Sequence, residues 1–294
     1  MREVDDALTR AFARRGPAEQ PEGFPPSPHW LNRQAASVSS QRKSAAAPTT
    51  DLGIDPAQTA NPLVSAHLAE TAAGADLSDQ LGNAPIAELT WPPIVQTLER
   101  KWGDRFERLA DFLIDSRDRR KLKVILFTSC HRAEGRTTLV LALARSLSRR
   151  KGRTLLVDAD LSGPMLARSL GIRPTTGLDD VVESGQALAE AVVDAPDDHL
   201  SLLPLRGPVS RPREFLANPA WTCSMARLRR EFDLILLDGS PLFTGLSATV
   251  LHRSVDAAIL VHNRSVTGER AVLRAGEVLE AGGIPLLGLA ETFV

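Results

Sequence analysis

Residues 123–138 read KVILFTSCHRAEGRTT, and this stretch decides the fold of the chain. Val124 to Phe127 form a short apolar run, which is typical of a strand buried on both faces of a parallel sheet. A polar loop containing Gly135 follows, and beyond Thr137 the sequence is almost wholly apolar, which indicates an internal helix. In a strand–loop–helix unit, the loop amides and the helix dipole favour an anion at one place. The stretch therefore predicts a site for a chain of phosphates.

The loop matches the phosphate-loop consensus GxxxxGK[ST] only in part. Gly135 and Thr137 hold their positions, but Cys130 stands at the first glycine and Arg136 stands at the lysine. Arginine keeps the positive charge while replacing a compact ammonium group with a broad planar guanidinium. From the loop alone, an ordinary strand-to-helix turn with one glycine is an equal alternative.

Acidic residues follow two later apolar runs. Asp158 and Asp160 come at the end of the run around Leu155–Val157, and Asp238 ends the run Leu234–Leu237. Ligands of parallel sheets bind at the carboxyl ends of the strands, where carboxylates can hold hydrated Mg²⁺ or accept a hydroxyl proton. An isolated DxD pair indicates no more than a polar turn. The phosphate loop, the DxD pair and the late aspartate nevertheless occur in the order that one nucleotide–Mg²⁺ site requires, and this agreement favours a nucleotide-binding fold.

Strand and helix patterns alternate over the second part of the chain. We predict strands at 124–127, 155–157, 200–203, 234–237, 256–261 and 285–290, and helices at 93–118 (one amphipathic helix or a broken pair), 137–147 and 267–281. This alternation predicts an α/β fold in which a mostly parallel sheet carries helices on both faces. Residues 91–294 are expected to form this domain. Residues 1–90 are rich in Pro, Ser, Ala and Thr, with few apolar residues, and are expected to form a disordered tail.

Composition narrows the class of protein. The net charge of −1 over 294 residues gives no sign of nucleic-acid binding. The two cysteines offer no disulfide framework, which suits a reducing cytoplasm. No apolar run approaches ~18 residues, so neither a membrane span nor an export signal is expected. The chain contains no tyrosine.

These segments together resemble the bacterial tyrosine kinases (BY-kinases), which are P-loop proteins that control capsule and exopolysaccharide export. The family loop TSxxPGEGK[ST] lies over residues 128–137 without a gap, with Arg132, Ala133 and Arg136 in place of Pro, Gly and Lys. On this register Cys130 is an ordinary position. The family motif LLIDADLRRP is matched by LLVDADLSGP at 155–164, and FDxVIIDTPP is matched by FDLILLDGSP at 232–241. The resemblance covers about residues 104–291.

The resemblance implies a P-loop NTPase fold, like that of the ParA/MinD ATPases, with ATP and Mg²⁺ as cofactors. The implied nucleotide-binding residues are Ala133, Glu134, Gly135, Arg136, Thr137 and Thr138. The implied catalytic residues are Asp158, as the base, and Arg136. The implied magnesium site consists of Thr137, Asp160 and Asp238.

The resemblance also implies partners and a location. It implies a membrane polysaccharide co-polymerase or export protein as partner, a cytoplasmic protein held at the inner face of the plasma membrane through that partner, and possible homo-oligomers. The family's assembly motif ExxRxxR is only partly present, because Asp104, Glu107 and Ala110 occupy its positions. Without tyrosine, the chain cannot phosphorylate itself on tyrosine.

Three functions are therefore open at this point. The first is an active ATP-dependent kinase or ATPase, favoured by the three aspartates. The second is a non-catalytic, nucleotide-dependent partner of a membrane export protein, favoured by Arg136 and by the missing tyrosines. The third is a ParA/MinD-like positioning ATPase, which neither a basic stripe nor an amphipathic anchor supports.

Overall fold

In the computed structural model of the chain, residues 89–244, 251 and 253–292 are described. The predicted tail, residues 1–90, lies outside this part except for its last two residues. Leu89 is buried, and its N–H donates to the Asp198 carboxylate, so the folded domain includes it. None of the helices within the described ranges is long and apolar enough to cross a bilayer.

The strands of the described part build one seven-stranded sheet in the order β3-β4-β2-β5-β1-β6-β7. They are β1 (Val124–Ser129), β2 (Thr154–Ala159), β3 (Val193–Ala195), β4 (Leu200–Leu203), β5 (Leu234–Gly239), β6 (Ala257–His262) and β7 (Leu286–Glu291). All neighbours pair in parallel except β3 and β4, which are antiparallel. The predicted α/β fold with a mostly parallel sheet is confirmed. Sequence patterns missed only the three-residue strand β3, which is too short to show a period.

The helices of the described part connect these strands. They are α1 (Pro93–Arg120), α2 (Arg136–Leu147), α3 (Leu166–Ser169), α4 (Leu178–Ser184), α5 (Leu188–Ala191), α6 (Pro212–Ala217), α7 (Pro219–Glu231) and α8 (Glu269–Ala281). The prediction of one amphipathic helix or a broken pair at 93–118 is resolved as a single kinked helix, because Trp102 has a non-helical φ of −135° inside α1.

Both faces of the sheet are buried, as the apolar strands require. Val124 and Leu126 face one apolar cluster, whereas Ile125 and Phe127 face a second cluster, to which α1 and α2 contribute. The strand β1 therefore lies in the interior, between β5 and β6, and its carboxyl end carries the phosphate-loop stretch to the edge of the sheet. The site predicted from sequence is located there.

Candidate functional site

The loop between β1 and α2 has an unusual backbone. Ala133 and Gly135 both have positive φ, at 63° and 78° respectively, so the chain turns twice in the left-handed region before α2 starts. Gly135 is the N-cap of α2 and supplies no side chain to the first amides of the helix. Helix N-terminal amides need an external acceptor, and an anion is the acceptor that the dipole favours. The loop thus leaves its amides at the mouth of the site.

Glu134 anchors this loop from behind. Its side chain is buried, and its carboxylate accepts hydrogen bonds from the N–H groups of His131 (2.7 Å) and Asn263 (3.2 Å) and from the hydroxyl of Thr267. Its backbone carbonyl accepts from the Thr292 hydroxyl at 2.6 Å. Of the predicted nucleotide-binding residues, Glu134 can therefore offer only its N–H to a ligand. Its side chain ties the loop to the segment after β6, and its backbone carbonyl ties the loop to Thr292 after β7.

Cys130, at the first-glycine position of the consensus, is buried beneath the loop. Burial, together with the neighbouring Glu134 carboxylate, raises the pKa of the Cys130 thiol to about 12. The thiol is therefore neutral at physiological pH and acts as an apolar filler rather than a nucleophile.

Arg136 reaches into the protein. Only 8% of its side chain is exposed, and its Nε donates to Asp238 at 2.8 Å while its Nη2 donates to Asp160 at 2.7 Å. Its Nη1 donates to the Ser129 hydroxyl at 3.0 Å. Burial opposes the charge, but the two carboxylates outweigh it and raise the pKa of Arg136. The arginine is thus a permanent cation that lies between two of the three predicted acids.

The remaining carboxylate oxygens of these two acids also have partners. Thr137 donates its hydroxyl to Oδ2 of Asp238 at 2.6 Å, and Ser240 donates its hydroxyl to Oδ1 of Asp160 at 3.1 Å. The predicted magnesium ligands Thr137, Asp160 and Asp238 are therefore brought together, but with a guanidinium between the carboxylates. As placed, they do not fit Mg²⁺, which prefers free carboxylate oxygens and water. The described residues contain no cluster of three or more His, Cys, Asp or Glu suited to a metal.

Asp158 lies next to Asp238 in the sheet, because β2 and β5 place the two residues directly opposite each other. Asp158 is fully buried, and its carboxylate accepts hydrogen bonds from the N–H groups of Asp160 (3.2 Å) and Leu166 (2.9 Å). Burial and then the Asp238 charge raise the pKa of Asp158 to about 8. The predicted base is therefore largely protonated at pH 7, in which form it cannot accept a proton.

Comparison with known proteins gives the relatives of the chain. The chain is 29% identical over 170 residues to the tyrosine-protein kinase CpsD of Streptococcus pneumoniae, covering 58% of this chain and 75% of that protein. It is 28% identical over 171 residues to the tyrosine-protein kinase YwqD of Bacillus subtilis, covering 58% and 71%. The VpsO kinase domain superposes with a TM-score of 0.58 at 26% identity, covering 67% of this chain and 98% of that domain. The relatives of this chain are bacterial tyrosine kinases. No protein-family model matches the chain.

Two positions at which this chain differs from the bacterial tyrosine kinase motifs lie next to each other in space. Arg132 replaces the loop proline, and Gly163 replaces an arginine of the second motif. The Arg132 guanidinium lies over Gly163, where an added Cβ would come within 2.6 Å of its Nη1. The same nitrogen lies 3.6 Å from Asp160, and 49% of the Arg132 side chain is exposed. Arg132 thus brings a guanidinium next to a position where the family motif has an arginine.

Sequence reasoning found the three acids, the loop and Arg136, but it missed Ser129, Ser240 and Arg132. The two serines carry no motif signal, because a serine after a strand is common. Arg132 could have been found by considering the two arginine positions together. Thr137 and Thr138 lie in the first turn of α2 and are partly exposed, as a phosphate-facing role requires.

Proposed function

We propose that this chain binds ATP through the loop at 131–138 and acts as a nucleotide-dependent protein of capsule or exopolysaccharide biosynthesis. One observation carries the proposal: the loop opens a buried helix with its first amides uncapped, beside the half-exposed guanidinium of Arg132. Amides at a helix N-terminus and an arginine fork are both donors suited to phosphate oxygens. Kinship with bacterial tyrosine kinases supports the choice of ATP over other anions.

Within this role, we favour a regulatory partner over a fast kinase. Phosphoryl transfer depends on cations that stabilise the charge developing on the transferred group and on a group that orients or deprotonates the nucleophile. Here Arg136 is occupied by Asp160 and Asp238, and Asp158 is mostly protonated at neutral pH. Nucleotide binding without rapid turnover can still shift the protein between two docking states.

The kinship also supports a partner and a location. The proposed partner is a membrane polysaccharide co-polymerase or export protein, and the proposed place of action is the cytoplasmic face of the membrane where that partner lies. Homo-oligomers remain part of the proposal, although the assembly motif of the family is incomplete in α1.

Nucleotide binding can be tested by isothermal titration of the full chain with ATP. Arg132→Glu is expected to weaken binding by about tenfold or more, because it reverses a charge at the phosphate site, a change worth roughly 1.4 kcal/mol or more. Arg213→Glu reverses an exposed charge in α6 and serves as the control, with unchanged affinity expected. Absence of binding at millimolar ATP would reject the proposal.

An active kinase or ATPase is the second candidate, and the meeting of Thr137, Asp160 and Asp238 around Arg136 favours it. Release of γ-phosphate from radiolabelled ATP decides between the two. If the chain is a regulatory partner, the wild type and Asp238→Ala should release phosphate at the same background rate. Turnover clearly above that of Asp238→Ala would establish the enzyme instead.

A further inference from the structure

The carboxylates of Asp160 and Asp238 are already bridged by one cation. Each of their four carboxylate oxygens accepts a hydrogen bond: two from Arg136, one from Thr137 and one from Ser240. Both carboxylates are nearly inaccessible to water. A metal ion entering this place would have to compete with a donor at every oxygen of the two acids.

We propose that the guanidinium of Arg136 takes the place of a divalent metal between Asp160 and Asp238, so that this chain binds nucleotide phosphates without requiring Mg²⁺. The inference rests on the proposed nucleotide binding and adds to it the ionic form of the ligand. The bound species is the free nucleotide anion rather than its magnesium complex.

The first step of the argument is that Arg136 stays where it is. Its three donors satisfy acceptors on three different segments, namely Ser129 at the end of β1, Asp160 after β2 and Asp238 in β5. A magnesium ion displacing it would shed tightly held water and leave a buried guanidinium without its carboxylates, which is costly at such a site.

The second step concerns the charge that a phosphate chain would meet. Arg136 lowers the net charge of Asp160 and Asp238 from −2 to −1, and Arg132, 3.6 Å from Asp160, lies close enough to offset the remainder. Arg132, half exposed at the mouth of the loop, and the amides at the start of α2 then provide positive potential. A metal would bridge the acidic side chains and the phosphates, and in this arrangement Arg136 already bridges the two acids.

The third step identifies the variant whose site should be able to bind a metal ion. A lysine at position 136 has one nitrogen on a flexible stem, so it cannot keep the forked contacts to both acids and Ser129. At least one carboxylate oxygen would become available, next to the Thr137 hydroxyl. Arg136→Lys is therefore expected to acquire a requirement for Mg²⁺ that the natural chain lacks.

The test is isothermal titration of the full chain with ADP and with ATP, in excess EDTA and in millimolar Mg²⁺. The wild type is expected to show dissociation constants equal within about twofold in the two buffers, whereas Arg136→Lys should bind about tenfold more tightly with Mg²⁺. Arg150→Lys, the same substitution at a surface ion pair with Asp111, is the matched control and should behave as the wild type. Circular dichroism melting checks that each variant folds.

Electron paramagnetic resonance of added Mn²⁺ provides a readout independent of nucleotide. Wild-type protein alone should leave the free Mn²⁺ signal unchanged, and Arg136→Lys should reduce it. Tenfold tighter nucleotide binding by the wild type in Mg²⁺, or Mn²⁺ bound by the wild type alone, overturns the inference while leaving the proposed function intact. Absence of nucleotide binding in both buffers rejects the proposed function, and with it the inference.

Discussion

At the scale of single residues, the site shows how one substitution redistributes charge. Arg136 occupies the lysine position of the phosphate loop, yet its guanidinium contacts Asp160 and Asp238 instead of projecting into the open mouth. A buried ion pair of this kind is expensive to break, because either partner left alone is a desolvated charge. The side-chain positive charge at the mouth of the site then comes from Arg132, a residue that no loop consensus specifies.

The titration of Asp158 makes stability depend on pH. Its pKa is about 8 in the folded chain against an ordinary 3.8, so between these values the folded chain binds more protons than the unfolded chain. Stability therefore falls as pH rises through this window, by at most about 1.4 kcal/mol per pH unit for one proton. Asp158→Asn is expected to flatten this slope between pH 6.5 and pH 8.5, as measured by urea unfolding.

One control variant and one competing titration must be considered in that measurement. Asp197→Asn changes an exposed carboxylate and should keep the wild-type slope. His262 acts in the opposite sense, because burial lowers its pKa and stability rises as pH climbs through its titration, which lies below about 6.5. An undiminished slope in Asp158→Asn above pH 6.5 would contradict the assignment to Asp158.

The packing of Arg132 over Gly163 gives a second prediction at this scale. In Gly163→Ala the new Cβ would lie 2.6 Å from the end of the flexible Arg132 side chain, which can move aside at little cost. We expect the melting temperature to stay within about 2 °C, a change below 1 kcal/mol, while ATP binding weakens severalfold. Gly207→Ala, where a Cβ meets nothing within 4 Å, is the control. Unaltered ATP affinity in Gly163→Ala would show that the position of Arg132 is immaterial.

At the scale of elements, α1 shows which contacts hold a helix to a domain. Its apolar stripe, including Phe106, Leu109 and Leu113, is buried in the same cluster as α2. Its ion pairs to the end of α2, such as Glu99 with Arg145, remain partly exposed. Exposed pairs contribute little, because solvent screens them and ordering the side chains costs entropy.

This contrast predicts that an apolar and a charged substitution in α1 lower the free energy of unfolding by different amounts. Leu113→Ala removes a fully buried side chain and is expected to lower the free energy of unfolding by about 2–5 kcal/mol. Glu99→Gln, which weakens the pairs to Arg145 and Arg149, should cost less than about 1 kcal/mol and only at low salt. Urea unfolding at two salt concentrations measures both. Equal losses for the two variants would mean that the charged face, rather than the apolar stripe, holds α1.

At the scale of the whole molecule, the segment before α1 belongs to the core. Trp91 is buried, and its indole Nε1 donates to Asp198 at 2.7 Å, while the Leu89 N–H donates to the other oxygen of the same carboxylate at 3.1 Å. A domain starting at residue 89 keeps these contacts, whereas one starting at residue 93 loses both side chains.

Two shortened chains test that boundary. Residues 89–294 are expected to melt within about 2 °C of the full chain, and residues 93–294 about 10 °C lower, since losing a buried tryptophan alone costs roughly 3–5 kcal/mol. Trp91→Ala in the full chain should reproduce most of the second loss. Equal melting temperatures for the two shortened chains would place the boundary after Trp91.

The features of this protein that depend on local pattern could be predicted from its sequence. Alternating apolar runs and helical periods specified the α/β class, and the order of loop, DxD pair and Asp238 indicated one site at one sheet edge, since parallel strands end together. The kink at Trp102 and the short strand β3 were less accessible, because packing against remote segments overrides weak local preference.

The contacts of the predicted site residues depend on the tertiary structure. The direction of Arg136, the protonation of Asp158 and the meeting of Arg132 with Gly163 depend on distances between residues far apart in the chain. The charge state of a carboxylate and the partner of an arginine are set by burial and by neighbours within a few ångströms. A linear pattern names the residues that can meet, whereas the packed sheet determines which atoms do.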